Sequence, residues 1–128
     1  MKKLVLLLSV FVSTQVFAAT VELGKYLAVP KEFPTVKADL DLKADNSATV
    51  RIDAEGEIIN CTGTFAVAGN DLSAHAFCDH AAAPEINVSI DITTVTPEGL
   101  RSEEGVEVPV KFDLLGDEAV QFILKKAD

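Results

Sequence analysis

Few residues in this sequence could do chemistry, and most of them fall between positions 57 and 80. Cys61 and Cys78 are its two cysteines, and His75 and His80 its two histidines. A catalytic thiol pair normally sits as C-x-x-C at a helix start, where the local field lowers a thiol pKa. Here the cysteines lie far apart in a strand-like stretch, so a structural disulfide is expected instead. His75, Asp79 and His80 carry imidazole and carboxylate groups, both of which ligate metals. The strand register described below puts His75 on a wet face and His80 in the following loop. The expectation is ordinary surface, with no metal and no cofactor.

Carboxylates are abundant but poorly arranged for catalysis. Asp39 and Asp41 share a strand face, and Glu98, Glu103, Glu104 and Glu107 cluster further on. Paired carboxylates serve acid–base chemistry or calcium binding. However, Lys37 and Lys43 flank the two aspartates, and the D-x-[DN]-x-[DN]-G calcium pattern is absent. G-x-S-x-G, G-x-G-x-x-G, P-loop and H-E-x-x-H signatures are absent as well. No catalytic residue is assigned, and the chain reads as a non-enzyme. The sequons Asn60-Cys61-Thr62 and Asn87-Val88-Ser89 lie in strand-like runs and are discounted.

The elements that carry these residues show period-two alternation of apolar and polar side chains. Val36, Ala38, Leu40, Leu42 and Ala44 form one apolar face, and Ala48, Val50, Ile52 and Ala54 another. Ile86 to Ile92, Val106 to Leu114 and Val120 to Leu124 repeat the pattern. One wet and one buried face per strand is the antiparallel signature. Strands are expected near 21–29, 36–44, 48–54, 57–67, 72–79, 86–95, 106–114 and 119–126. The stretch Asp79 to Pro84 could hold at most one helical turn. Consecutive hairpins make an all-β meander, and closing it into a small up-and-down barrel removes the exposed edges. A two-sheet β-sandwich is the alternative. A loop at Asp45-Asn46-Ser47 would pair Leu42 with Val50 and Leu40 with Ile52. A loop at Gly116-Asp117-Glu118 would pair Leu114 with Val120 and Phe112 with Phe122.

The sharpest register comes from Gly69-Asn70, a two-residue hairpin turn. With that turn, Ala68 faces Asp71, Phe65 faces Ala74, Gly63 faces Ala76, and Cys61 faces Cys78. The two cysteines then occupy a non-hydrogen-bonded pair, where Cα atoms approach to about 4.5 Å, near the short end of disulfide geometry. Two irregular segments are candidate interaction loops: one carries Phe33 and Pro34, the other, Thr96 to Gly105, carries Leu100 and Arg101. Small inward residues (Ala38, Ala54, Gly63, Ala74, Ala76) either taper a filled barrel or leave room for an apolar ligand; Phe33, Phe65, Phe112 and Phe122 could fill that space.

The first residues set the compartment. Met1-Lys2-Lys3 precedes the apolar run Leu4 to Val12, and Val16 and Ala18 supply the small residues of a cleavage site. This is the layout of a secretory signal peptide, residues 1–18. The run is too short for a membrane span, which needs about 20 apolar residues. Residues 19–128 then form a single β-barrel domain, periplasmic or secreted, with no stable membrane insertion. Losing Lys2 and Lys3 leaves nine basic residues against 20 acidic ones, a net charge of −11. Such a surface repels nucleic acid and keeps a small domain soluble and monomeric.

The order Tyr26…Pro30…Leu40-x-Leu42-x-x-Asp45-Asn46…Thr62-Gly63-Thr64-Phe65-x-Val67-x-Gly69-Asn70-x-Leu72 resembles small bacterial envelope domains with a lipocalin-like or META-type barrel. The likeness covers residues 21–80 and implies a lipocalin-like barrel. The chain departs in having no lipidated cysteine and no C-x-x-C near its start, so no functional residue is carried over. Two roles remain. One is an exported, non-enzymatic binding module for an apolar small ligand or a protein partner. The other is a periplasmic protease inhibitor, a barrel of similar size that inserts an N-terminal segment into its target. The shortness of the segment ahead of the first strand counts against the second.

Overall fold

The computed structural model describes residues 21–81, 83–113, 116 and 118–127. The signal-peptide assignment and Leu114 therefore lie outside the described residues. The elements are β1 (Gly24–Pro30), β2 (Val36–Leu42), β3 (Ser47–Ala54), β4 (Glu57–Ala68), β5 (Asp71–Cys78), β6 (Glu85–Asp91), α1 (Pro97–Leu100), β7 (Val106–Phe112) and β8 (Ala119–Lys126). The eight strands form one closed antiparallel barrel in sequence order. β1 returns to β8, with Tyr26 opposite Lys126 and Pro30 opposite Phe122. Proline has no N–H to give a ladder, and Pro30 is the last residue of its strand. The sandwich alternative is excluded by this closure.

The β4–β5 hairpin has the register its sequence dictates, from Ala68 opposite Asp71 down to Cys61 opposite Cys78. Gly69 takes a φ of 64° in its turn, the conformation a two-residue hairpin loop requires and glycine adopts at least cost. Further along, Gly63 faces Ala76, and a Cβ on Gly63 would lie 1.9 Å from the His75 carbonyl oxygen. Only glycine lets the two strands approach this closely.

Two expected registers need correction. β2 and β3 pair Leu42 with Ala48 and Leu40 with Val50, not Leu42 with Val50. The loop is Ala44-Asp45-Asn46, one residue earlier than expected. Asn46 takes the left-handed conformation at φ 68°, and Asp45 Oδ1 accepts from Ser47 N–H at 3.0 Å. A three-residue hairpin ending in a left-handed residue is a standard solution. β7 and β8 pair Val110 with Val120 and Val108 with Phe122, so their connection is longer than Gly116-Asp117-Glu118. Both shifts are by an even number of residues, so each apolar set stays on the inner face. Phe112 and Phe122 still meet, with ring centroids 5.9 Å apart.

The meander sends its connections alternately to two ends, and the ends differ. Residues 43–46, 69–70 and 92–105 lie at one end, beside the segment entering β1. Inward side chains there are buried: Tyr26, Leu42, Leu72 and Leu124 are all under 7 % exposed. The segment 96–105 is not the open polar loop expected from sequence. Thr96 Oγ1 accepts from Gly99 N–H at 3.0 Å and caps the single turn of α1, a favoured N-cap arrangement. This aims Leu100 inward, 1 % exposed, beside Ile92 and Val95 at 2 % each. Leu100, placed by the sequence in a candidate interaction loop, therefore packs into the main core at this end of the barrel. The void among Tyr26, Leu40, Leu72, Ile92 and Val95 is about 10 Å³, room for about one water molecule at most.

If Leu100 seals this end, Leu100→Ala should cost about 2–5 kcal/mol, as deletion of a packed core leucine does. Urea unfolding of the variant against the parent measures it. A cost near zero would mean that α1 is an exposed loop after all.

Candidate functional site

Cys61 and Cys78 are joined, with S–S 2.01 Å and Cα atoms 4.0 Å apart, somewhat closer than the approach expected from register alone. Cys61 is 1 % exposed and packs with Ala76 and Ile86 in a second, smaller core cluster. The bridge is a local staple within one hairpin. It indicates an oxidising, non-cytoplasmic compartment. Beyond it the pairing continues through side chains. Asn60 N–H donates to Asp79 Oδ1 at 2.8 Å, Asn60 Nδ2 to Asp79 Oδ2 at 3.3 Å, and Asp79 N–H to the Asn60 carbonyl at 3.0 Å.

His75, Asp79 and His80 do not converge. His75 Nε2 contacts Glu85, His80 Nε2 lies 2.8 Å from Glu57 Oε2, and Asp79 is held by Asn60. Among the described residues no group of three His, Cys, Asp or Glu is arranged to hold a metal. Arg51 Nη1 stands 3.8 Å from Asp39 Oδ2, so that strand face is a solvated ion-pair surface.

The aspartates with perturbed acidity are backbone caps. The Ser47 hydroxyl and then its N–H hold the Asp45 carboxyl below the usual range. Thr93 does the same for Asp91, and the Asn60 N–H and then its side-chain amide do so for Asp79. Each accepts hydrogen bonds that favour the charged form. The pattern Asp-x-Ser/Thr, present at both 45–47 and 91–93, is a turn signature that a search for catalytic motifs passes over.

The four candidate interaction residues are divided between the two ends. Leu100 is inside. Arg101 is exposed but engaged: its Nη1 and Nη2 donate to Glu22 Oε2 and Oε1 at 3.0 and 2.7 Å. Tyr26 Oη donates to the Glu22 carbonyl, and Val21 packs against the main core. Residues 21–22 are thus strapped across the sealed end. Phe33 and Pro34 lie at the opposite end, with Phe33 61 % exposed. Phe33 N–H donates to the Pro30 carbonyl at 3.2 Å, and Val36 N–H to the Phe33 carbonyl at 3.0 Å. These bonds fix the loop at the lip of the barrel.

At this second end the interior is only half covered. Val36 faces Ala54 and Ala38 faces Ile52; all four are inward-facing by the strand alternation and only half-buried, as is Val120. None of these five is among the described residues that pack against either buried cluster. Ala83 and Ile59 cover the neighbouring sector above Ile86. Among the described residues, one end is thus filled by buried side chains, and the other carries an apolar wall that is only half-buried. The exposed carboxylates Glu32, Glu55, Glu57 and Glu118 lie in or beside the connections at that end. Sequence alternation identifies each wall residue as inward but does not show how far each is covered.

No family model, no curated protein and no solved structure matches this chain.

A carboxyl whose folded-state pKa lies below its unfolded value stabilises the fold fully above that unfolded value, here 3.8 for Asp79. The contribution is lost as pH falls through the lower folded value. Asp79→Ala should therefore lower the urea midpoint at neutral pH. The gap from the parent should close as pH drops well below 3.8. Equal midpoints at neutral pH would show that the cap contributes nothing.

Proposed function

We propose that this chain is an exported, non-enzymatic binding module of the periplasm or the secreted medium, and that it engages a protein partner at its half-buried apolar wall. The observation that carries the reading is that wall: Val36, Ala38, Ile52, Ala54 and Val120, half-buried and outside both core clusters, with Phe33 exposed at the lip. Full burial of an exposed valine or isoleucine contributes about 1.5–3 kcal/mol, and covering the remaining surface of each of these half-buried residues contributes a fraction of that. The acidic groups at that end suit a partner whose apolar anchor is flanked by lysine or arginine. The lipocalin-like resemblance of residues 21–80 fits a cup with one closed base. The void of about 10 Å³ at the sealed end offers no enclosed chamber there for an apolar small ligand. The inhibitor alternative gains no support, because Val21 and Glu22 are tied to the barrel. The signal-peptide pattern and the disulfide together support export.

Photo-crosslinking through position 33 in envelope extracts tests this. Protein recovered by osmotic shock should begin at Ala19 and give a discrete adduct, reduced about tenfold by Val36→Asp, as loss of a central anchor reduces binding. An adduct unchanged by Val36→Asp would contradict the reading. Lipid held in the barrel on native mass spectrometry, with no protein adduct, would assign the wall to a small apolar ligand instead.

A further inference from the structure

A second surface stands apart from that wall. On the outer wall of β4–β7 a groove of about 460 Å³ crosses Thr64, Ser73, His75, Asn87, Ser89 and Lys111. The register sets these in two rows. Thr64, His75 and Asn87 lie side by side, and Ser73, Ser89 and Lys111 form the next row. Phe77 is the next outward residue along β5. It is 59 % exposed, and its ring centroid lies 5.0 Å from that of His75.

Two properties single this groove out. Its margins carry Glu85, bonded to His75, and Asp71, bonded to Ser89, and the one carboxylate that lines it, Asp113, is committed as well. Its Oδ1 accepts from Asn87 N–H at 3.2 Å and its Oδ2 from Asn87 Nδ2 at 2.8 Å. A neighbouring groove of about 530 Å³ instead carries Lys25, Asp39, Asp41 and Arg51. The remaining polar groups here are hydroxyl, amide and imidazole, with the lone ammonium of Lys111. The second property is the exposed Phe77 ring at its margin, in contact with the His75 ring.

We propose that this face binds a neutral saccharide. Hydroxyl and amide groups both give and accept hydrogen bonds with sugar hydroxyls, and neither demands the desolvation of a full charge. The Phe77 ring offers an apolar surface to the C–H face of a pyranose. Parts of the site are already oriented. His75 is held by Glu85, and Ser89 Oγ donates to Asp71 Oδ1 at 2.6 Å. Fixed side chains lower the ordering cost of binding. The groove size falls within the range of small-ligand sites. This assignment does not rest on the apolar wall, and either can fail alone.

The test is an amide-resolved NMR titration of the disulfide-bonded mature protein with maltohexaose, cellohexaose and chitohexaose at millimolar concentration. Binding by at least one should shift resonances of Thr64, Ser73, His75, Phe77 and Asn87. Phe77→Ala, whose remaining spectrum reports an intact fold, should weaken that affinity by about tenfold, and Phe33→Ala should leave it unchanged. No shifts with any of the three sugars would overturn the proposal. So would shifts centred on Phe33 and Val36, or an affinity indifferent to Phe77→Ala.

Discussion

Backbone pairing between β1 and β8 is the constraint on which the rest of the structure depends. Without it, the sheet would end in two strands with unpaired N–H and C=O groups, a hazard for association. With it, every strand among the described residues is paired on both sides. Closure also defines an inside. Tyr26 and Leu124, one from each closing strand, are buried to 2 % and 6 % exposure in the main core. The meander then has no freedom left: its connections must alternate between two ends, and each end must be covered or remain open.

One end is covered by a device that packs short apolar residues between polar ones. Ile92, Val95 and Leu100 turn inward from a connection that also carries Glu98, Glu103 and Glu104. The Arg101–Glu22 pair and Tyr26 hold the entering segment against it. Such an exposed ion pair adds about 0–1 kcal/mol, so apolar packing is the larger contribution. The other end carries a staple. The disulfide and the Asn60–Asp79 bonds fix the β4–β5 corner, while the β2–β3 and β8 sector keeps its apolar wall half-buried.

Legibility in the sequence followed the strength of the local signals. The Cys61–Cys78 pairing was readable because Gly69-Asn70 permits one tight turn and two-residue periodicity does the rest. The β2–β3 register was missed by one loop residue, because Asn46 can enter the left-handed region where most residues cannot and nothing in the sequence says that it does. The β7–β8 loop was underestimated for lack of a comparable turn signal. The burial of Leu100 is not legible, because its neighbours are polar and a single helical turn leaves no period to detect. How far the apolar wall of β2, β3 and β8 is covered is not legible at all. Alternation marks Val36 and Ile52 as inward, but coverage is a property of the assembled ends. The outer groove escaped for the same reason: Thr64, His75 and Asn87 are distant in sequence and become neighbours only through two strand registers.

Amide hydrogen exchange with interstrand NOEs, measured by NMR on the exported domain, tests the central structural claim most directly. Closure predicts slowed exchange in both β1 and β8, with cross-strand contacts between Tyr26–Pro30 and Phe122–Lys126. Exchange in either strand at the rate of an unpaired edge, without those contacts, would contradict the barrel and with it the distinction between a filled and a half-buried end.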